Sequence, residues 1–247
     1  MPILQRLLDM NRASNRLFYR ISKRDHYMAV YARLLEEAVR PAQTIIHLGS
    51  GPLGFGEVCH VPLEGKTIWA VDPDEDALAH NPSPNRLCAS GEAIPLPDAS
   101  VDLIASEHLL EHVQDIEGLL RESHRLLKPG GRFIFTTPNF LSYSGIATHF
   151  TPFAAHQAVM RMLNRTDAAN RQPYPTFFRF NTVWRIEKLA QAAGFDVAQL
   201  WTGVDHPTYT GPIPGLHQAA VLAHLLLDKV ELLAPFRLTL TGVLVKK

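Results

Sequence analysis

Ile45-Ile46-His47-Leu48-Gly49-Ser50-Gly51-Pro52-Leu53-Gly54 joins a short apolar run to a turn built on glycine. The run from Thr44 to Leu48 predicts a buried strand. The glycines after it let the backbone reach φ values that other residues resist and pass close beside a ligand. Gly49, Gly51 and Gly54 also satisfy the pattern GxGxxG, which is weak alone because any sharp strand-to-helix turn can use glycine. A second run, Ile68-Trp69-Ala70-Val71-Asp72, ends in a carboxylate about 20 residues further on, where it can accept both hydroxyls of a ribose. Glycine turn and acidic strand end together point to a cofactor containing adenosine.

Outward from this unit, short β-branched or apolar runs alternate with helical segments, the signature of βαβ units and a parallel sheet. Strands are predicted at Thr44 to Leu48, Thr67 to Val71, Arg86 to Ala89, Val101 to Ser106, Arg132 to Thr137, Phe195 to Trp201 and Leu238 to Val245. Helices are predicted at Leu119 to Leu127, stopped by Lys128-Pro129-Gly130-Gly131, and at Leu189 to Ala193, ended by Gly194. Ahead of the sheet, Ile3, Leu4, Leu7, Leu8, Leu17, Phe18 and Ile21 recur at helical spacing with Arg6, Arg12, Arg16 and Arg20 between them. That is a basic amphipathic helix or helix pair, suited to packing on the domain as a lid or to lying on a membrane surface. His26 to Val39 is a further helix, ended before Pro41.

The expected organisation is N-terminal helices over 1–40 and one α/β domain over 41–247. The latter carries an aromatic and proline-rich insertion at about 140–180, with a helix near Ala155 to Leu163. A second insertion at about 203–233 ends in an apolar helix, Gln218 to Leu233.

Composition narrows the function classes. With 46% hydrophobic and 19% charged residues, the chain has the material for a large core. Twenty-four basic residues balance 24 acidic ones, so no global field favours a polyphosphate backbone and nucleic acid is an unexpected partner. Cys59 and Cys88 form no disulfide framework and have no metal-ligand spacing. The sequence has no apolar run long enough to span a membrane and no export signal, so a cytoplasmic protein is expected.

Five stretches resemble, in order, the class I methyltransferases that use S-adenosylmethionine, particularly their small-molecule branch. They are LGSGPLG, AVDPDEDAL, SGEAIPLPDASVDLI, SEHLLEHV with RLLKPGGRFIFTTPN, and LAQAAGF, covering roughly positions 44 to 201. Nicotinamide enzymes share the first two and are not expected to carry the other three. The resemblance implies a doubly wound, seven-stranded, mostly parallel Rossmann-like sheet with one antiparallel strand, supplied by Leu238 to Val245. It places His47, Gly49, Ser50 and Gly51 beside the methionine part of the cofactor and Asp72 on the ribose. Ser90, Glu92 and Ala93 fall near the adenine, and Ser106, Glu107 and His108 beneath the sulfonium. Three positions depart from the family pattern: His47 replaces an acidic residue, Leu53 a glycine, and Ser90 an aspartate.

If the acceptor is a hydroxyl, a base must take its proton, and a histidine suits neutral pH. His108 is the first candidate and His149 the second, with Glu107 as a carboxylate facing the sulfonium. Tyr143, Phe178 and Arg179 are candidate acceptor contacts, the last two within Tyr174-Pro175-Thr176-Phe177-Phe178-Arg179-Phe180-Asn181. The expected function is methylation, first of oxygen and second of nitrogen or carbon, on a small or lipid-linked, glycan-related molecule. A nicotinamide oxidoreductase built on the glycine turn and Asp72 is the alternative enzyme. A non-catalytic protein retaining the fold is the alternative from another class. His108-Leu109-Leu110-Glu111-His112 also spells HxxEH, a zinc-protease pattern, but it follows a strand in a βαβ frame with no third ligand, so no metal is expected.

Overall fold

A computed structural model describes residues 2–22, 25–150, 174–205, 207 and 215–247. Seven strands form one mixed, mostly parallel sheet: β1 Thr44–Leu48, β2 Thr67–Asp72, β3 Asn85–Cys88, β4 Val101–Glu107, β5 Leu127–Pro138, β6 Phe195–Gly203 and β7 Thr239–Lys246. Their order is β3-β2-β1-β4-β5-β7-β6. β1 pairs in parallel with both β2 and β4, so the chain reverses direction of growth at β1, and ligands of such sheets lie beyond the carboxyl ends of the strands there. The Rossmann-like α/β fold expected from the sequence is the fold present.

The contacts divide the chain into two compact units. The sheet unit holds Met28–Pro138, Pro175–Trp201 and Leu240–Lys247; the second holds Met1–Tyr27, Asn139–Tyr174 and Thr202–Thr239.

In the sheet unit, side chains alternate between faces along each strand. Ile45, Leu103, Ala105 and Ile134 join helix α2, Tyr27–Val39, through its buried Val30, Tyr31, Leu34, Leu35 and Ala38. Ile46, Ile104, Phe133 and Phe135 point the other way. They meet Leu119 and Leu120 from one further helix and Ile186 and Ala190 from another. Three short or medium helices lie between these elements: α3 Phe55–Val58, α4 Glu75–Ala79 and α5 Ile116–Leu126. Asp115 caps α5 by accepting from the Gly118 N–H, which starts the helix earlier than the apolar spacing suggested.

The second unit contains α1 Pro2–Ile21, one continuous helix, and α6 Tyr143–Phe150. The remaining helix of the sheet unit is α7 Val183–Ala192, capped by Thr182, and that of the second unit is α8 Leu216–Lys229. Two sequence expectations need correction. The apolar helix ends at Lys229 and gives way to a 3-10 turn, Glu231–Phe236, that contains Pro235. Proline lacks the N–H an α-helix needs. Lys128-Pro129-Gly130-Gly131 is no turn but the irregular start of β5, where Val101 pairs with Leu127 and Leu103 already with Arg132. Gly130 absorbs the irregularity at φ +76°. The expected helix at Ala155 to Leu163 lies outside the described residues.

Candidate functional site

The carboxyl ends of β1, β2, β3 and β4 converge in the sheet unit. At the end of β1, Gly49 and Gly51 take φ values of +69° and +49°. A Cβ on Gly49 would lie 2.8 Å from Leu109 Cδ1, whereas one on Gly51 would project into open space, with nothing within 4 Å. The N–H groups of Gly49 and Ser50 both donate to the Val71 carbonyl, at 2.8 and 3.3 Å, which pulls the turn over the end of β2.

Asp72, at that strand end, is buried. Its Oδ2 accepts from the Gly51 N–H at 2.8 Å and its Oδ1 from the Asp74 N–H at 2.9 Å. The carboxylate is thus fixed in orientation, while each oxygen keeps a lone pair for another donor. The sequence reading missed a residue here. Asn81, also buried, donates through one amide nitrogen to the carbonyls of Gly51 and Leu53, both at 2.8 Å, and accepts from the Ser83 N–H at 2.9 Å. It clamps the glycine turn from outside. Leu53, where the family pattern has glycine, contributes its backbone to that clamp and leaves its side chain 48% exposed.

Beyond β3, the Ala89 N–H donates to the Asp72 carbonyl at 3.2 Å and so brings the Ser90-Gly91-Glu92-Ala93 turn alongside Asp72. The Ser90 hydroxyl donates to the Glu92 carboxylate.

The end of β4 supplies Ser106, Glu107 and His108. On the α2 side of the sheet lie His47, its ring 5.5 Å from that of Phe55, and Tyr31, whose phenol faces the Glu107 carboxylate. Burial pushes the His47 imidazole down to about 4, so it is neutral at physiological pH. Burial, with the Glu107 charge, holds the Tyr31 phenol well above its usual range, and burial likewise raises Glu107. His47 Nδ1, Ser50 Oγ and Ser106 Oγ are buried without a hydrogen-bond partner within the chain, while Tyr31 Oη and the Glu107 carboxylate face each other. Buried polar groups generally find partners, so the three left unpaired around the ends of β1 and β4 fit the place of a polar ligand.

His108 takes φ +49°, a left-handed conformation unusual outside glycine. Its N–H donates to the Thr136 carbonyl at 2.9 Å, and its side chain is 44% exposed. Its Nδ1 lies 3.7 Å from Glu111 Oε1. Burial opposes a charge on this ring, but the Glu111 carboxylate beside it and the Glu107 charge outweigh that and raise its pKa. Glu111 is itself anchored: Thr137 Oγ1 donates to its Oε2 at 2.9 Å, and Asn181 Nδ2 donates to Thr137 Oγ1 at 2.6 Å. The Phe177 and Phe178 N–H groups donate to the Glu111 carbonyl at 2.7 and 3.2 Å. His112 Nδ1 lies 3.0 Å from the Pro175 carbonyl, a backbone partner far along the chain. The HxxEH stretch is not one helical face, since His108 precedes a 3-10 turn, Leu110–His112.

The structure therefore brings together His47, Gly49, Ser50, Gly51, Asp72, Ser90, Glu92, Ala93, Ser106, Glu107 and His108. Phe178 is buried at φ +50°, tied by its backbone to Glu111. Arg179 instead lines a separate cavity of about 360 Å³ with Asp115, Glu117, Arg185 and Lys188. Tyr143 belongs to the second unit, its ring 5.3 Å from that of His224. The His149 side chain lies outside the described residues.

Part of the chain is similar to known methyltransferases. Residues 47–135 match the family described as methyltransferase domain. Over 132 residues the chain is 33% identical to a probable S-adenosylmethionine-dependent methyltransferase of Mycobacterium tuberculosis, covering 51% of this chain and 47% of that one. A ubiquinone/menaquinone biosynthesis C-methyltransferase of Rubrivivax gelatinosus is 33% identical over 110 residues, 41% of this chain and 43% of that one. The chain thus spans about half the length of the curated relatives it matches. Among solved structures, an S-adenosylmethionine-dependent methyltransferase from Mesorhizobium loti superposes with a TM-score of 0.52 at 20% identity, covering 87% of this chain and 95% of that one.

Proposed function

We propose that this chain, whose residues 47–135 match the methyltransferase domain family and which has a Rossmann-like sheet, methylates a small or lipid-linked, glycan-related acceptor using S-adenosylmethionine. The observation that carries the reading is the set of unpartnered buried polar atoms of His47, Ser50 and Ser106 at the ends of β1 and β4, beside a glycine turn and an oriented carboxylate. These groups fit an adenosine cofactor with a charged amino-acid tail. Asp72 takes the ribose hydroxyls. Neutral His47, Ser50 and the backbone at Gly49 and Gly51 hold the amino-acid part. The turn of Ser90, Glu92 and Ala93 lies at the base, and Ser106 and Glu107 lie beneath the reacting end.

When bound, S-adenosylmethionine supplies a methyl group on a positively charged sulfur. The chain's own part is alignment, exclusion of water and handling of a proton. Glu107 favours binding of the cation more than the reaction, because that charge disappears as the methyl leaves. For a hydroxyl acceptor, His108 takes the proton through its neutral imidazole, and Glu111 then stabilises the imidazolium that results. Because Glu111 and Glu107 raise the His108 pKa, the rising limb of the pH profile stands above the ordinary histidine value.

A carbon acceptor is the second reading, favoured by the similarity to the Rubrivivax gelatinosus C-methyltransferase. The two separate on the product, since an oxygen-bound and a carbon-bound methyl carbon resonate far apart in NMR. The relatives favour neither an oxidoreductase nor a non-catalytic role, and the outward-pointing Leu53 side chain removes one motive for the latter. The test is transfer of labelled methyl from S-adenosylmethionine to acceptors in an organic extract, followed by mass spectrometry. A labelled product that is lost with His108→Ala, or falls at limiting S-adenosylmethionine with Gly51→Ala, supports the reading; absence of both transfer and S-adenosylhomocysteine binding removes it.

A further inference from the structure

Helices α1 and α8 lie side by side within the second unit. Asn11 Oδ1 accepts from Gln218 Nε2 at 3.1 Å, Asn15 Oδ1 lies 2.9 Å from His217 Nε2, and Lys229 Nζ donates to the Ile21 carbonyl at 2.6 Å. Phe18 packs between them with Val221 and Leu225. From Asn15 with His217, through Phe18 with Val221 and Leu225, to Ile21 with Lys229, the contacts advance along both helices, so the helices are parallel, and their periodicity fixes which flanks share a side. On α1, Met10, Leu17 and Ile21 form one stripe at spacings of seven and four; on α8, Leu222 lies four residues beyond Gln218 and seven before Lys229. Because Lys229 reaches Ile21, the two stripes border one another. All are open to solvent: Met10 is 52% exposed, Leu222 67% and Leu226 57%. The chain then continues through Leu232, 85% exposed, and Phe236. An apolar face of this extent needs a partner.

Charge selects the partner. The chain as a whole is neutral, yet α1 holds Arg6, Arg12, Arg16 and Arg20 against one acidic residue, Asp9. Arg6 and Arg20 flank the apolar stripe on one side; Lys229, between the two helices, is held by the Ile21 carbonyl and by Asp228 Oδ2 at 3.5 Å. A two-fold pairing of this face with a second copy would bring these cations together. An anionic bilayer instead accepts the leucines among its acyl chains and the guanidinium groups among its headgroups. Among the described residues no helix is long and apolar enough to cross a membrane, which leaves a surface mode. From the paired stripes and their basic border we infer that α1 and α8 form a docking platform for an anionic lipid surface.

The test is flotation of the full chain with phosphatidylglycerol/phosphatidylcholine vesicles and with phosphatidylcholine alone. We expect binding to the anionic vesicles that weakens with salt. Leu222→Glu with Leu226→Glu should reduce it at least about tenfold, as should Arg6→Ser with Arg20→Ser, the latter only on anionic vesicles. Both pairs are exposed, so circular dichroism and S-adenosylhomocysteine affinity should stay those of the wild type, which keeps this inference separable from the proposed activity. Absence of flotation at low salt overturns it, as does a leucine double variant that floats like the wild type. A dimer abolished by the leucine substitutions, without lipid binding, would assign the face to a second copy and equally overturn it.

Discussion

Replacing Gly51 by alanine separates the backbone needs of the glycine turn from its role toward a ligand. Gly51 has φ +49°, and an added Cβ meets nothing within 4 Å. Gly65, in the turn before β2, has φ +76° and the same open surroundings. It sits at the opposite end of β2 from Asp72, roughly 20 Å from the site at about 3.3 Å per residue. Each substitution imposes left-handed strain of roughly 1–2 kcal/mol, partly offset by roughly 0.4–1 kcal/mol of lost unfolded-state entropy. Both variants should therefore lose about 1 kcal/mol of stability, a fall in Tm of roughly 2–4 °C for a chain of this size. Only at Gly51 does the new methyl enter the space assigned to the cofactor, where overpacking costs roughly 1–3 kcal/mol. That is about fivefold to hundredfold in Kd at 1.4 kcal/mol per decade. Thermal melts and calorimetry with S-adenosylhomocysteine read the two quantities apart. Equal affinities in wild type and Gly51→Ala, or an equal loss in Gly65→Ala, would refute the placement of the ligand.

Asn81→Ala leaves two carbonyls of the turn without their buried donor and should cost roughly 1–3 kcal/mol in urea unfolding, together with a measurable loss of cofactor affinity. His47 binds its proton at about 4 in the folded chain and at 6.5 when unfolded, so the unfolded state takes up protons first as the pH falls. This stability is fully present above pH 6.5 and drains away toward pH 4, by on the order of 3 kcal/mol at 1.36 kcal/mol per unit. His47→Gln should remove that part of the slope from denaturation curves, and an unchanged slope would count against a neutral buried imidazole. Glu111→Gln should move the His108 pKa downward in an NMR titration and shift the rising limb of an oxygen-methylation profile with it. A profile that stays in place would dissociate His108 from the base.

The parts of the molecule legible in the sequence are those whose causes are local. Gly49, Gly51 and Asp72 announce themselves because a sharp turn needs glycine and a strand end places one carboxylate, and β1 occupies the expected residues Thr44–Leu48. Asn81 escaped notice because an asparagine after a short helix reads as an ordinary loop residue. Its purpose lies in carbonyls 28 and 30 positions away. Tyr31 reads as a core position of α2, and only the packing of α2 on the sheet brings its phenol to Glu107. Glu111 was masked by a helical-looking motif. Its burial comes from Thr137 and from the backbone of Phe177 and Phe178, none of them near it in sequence. The start of β5 was hidden for the same reason: proline and paired glycines look like a turn until Val101 is found opposite Leu127. Arg179 drew attention through its aromatic neighbours, yet it faces a cavity it shares with Arg185 and Lys188.

Calorimetric titration of the chain and of its Asp72→Ala variant with S-adenosylhomocysteine, and separately with NAD, tests the proposed cofactor most directly. The account predicts saturable one-to-one binding of S-adenosylhomocysteine to the wild type, weakened by at least about tenfold in Asp72→Ala through loss of charge-assisted hydrogen bonds, with no saturation by NAD. Saturation by NAD without a response to S-adenosylhomocysteine, or S-adenosylhomocysteine binding untouched by the loss of Asp72, would contradict it.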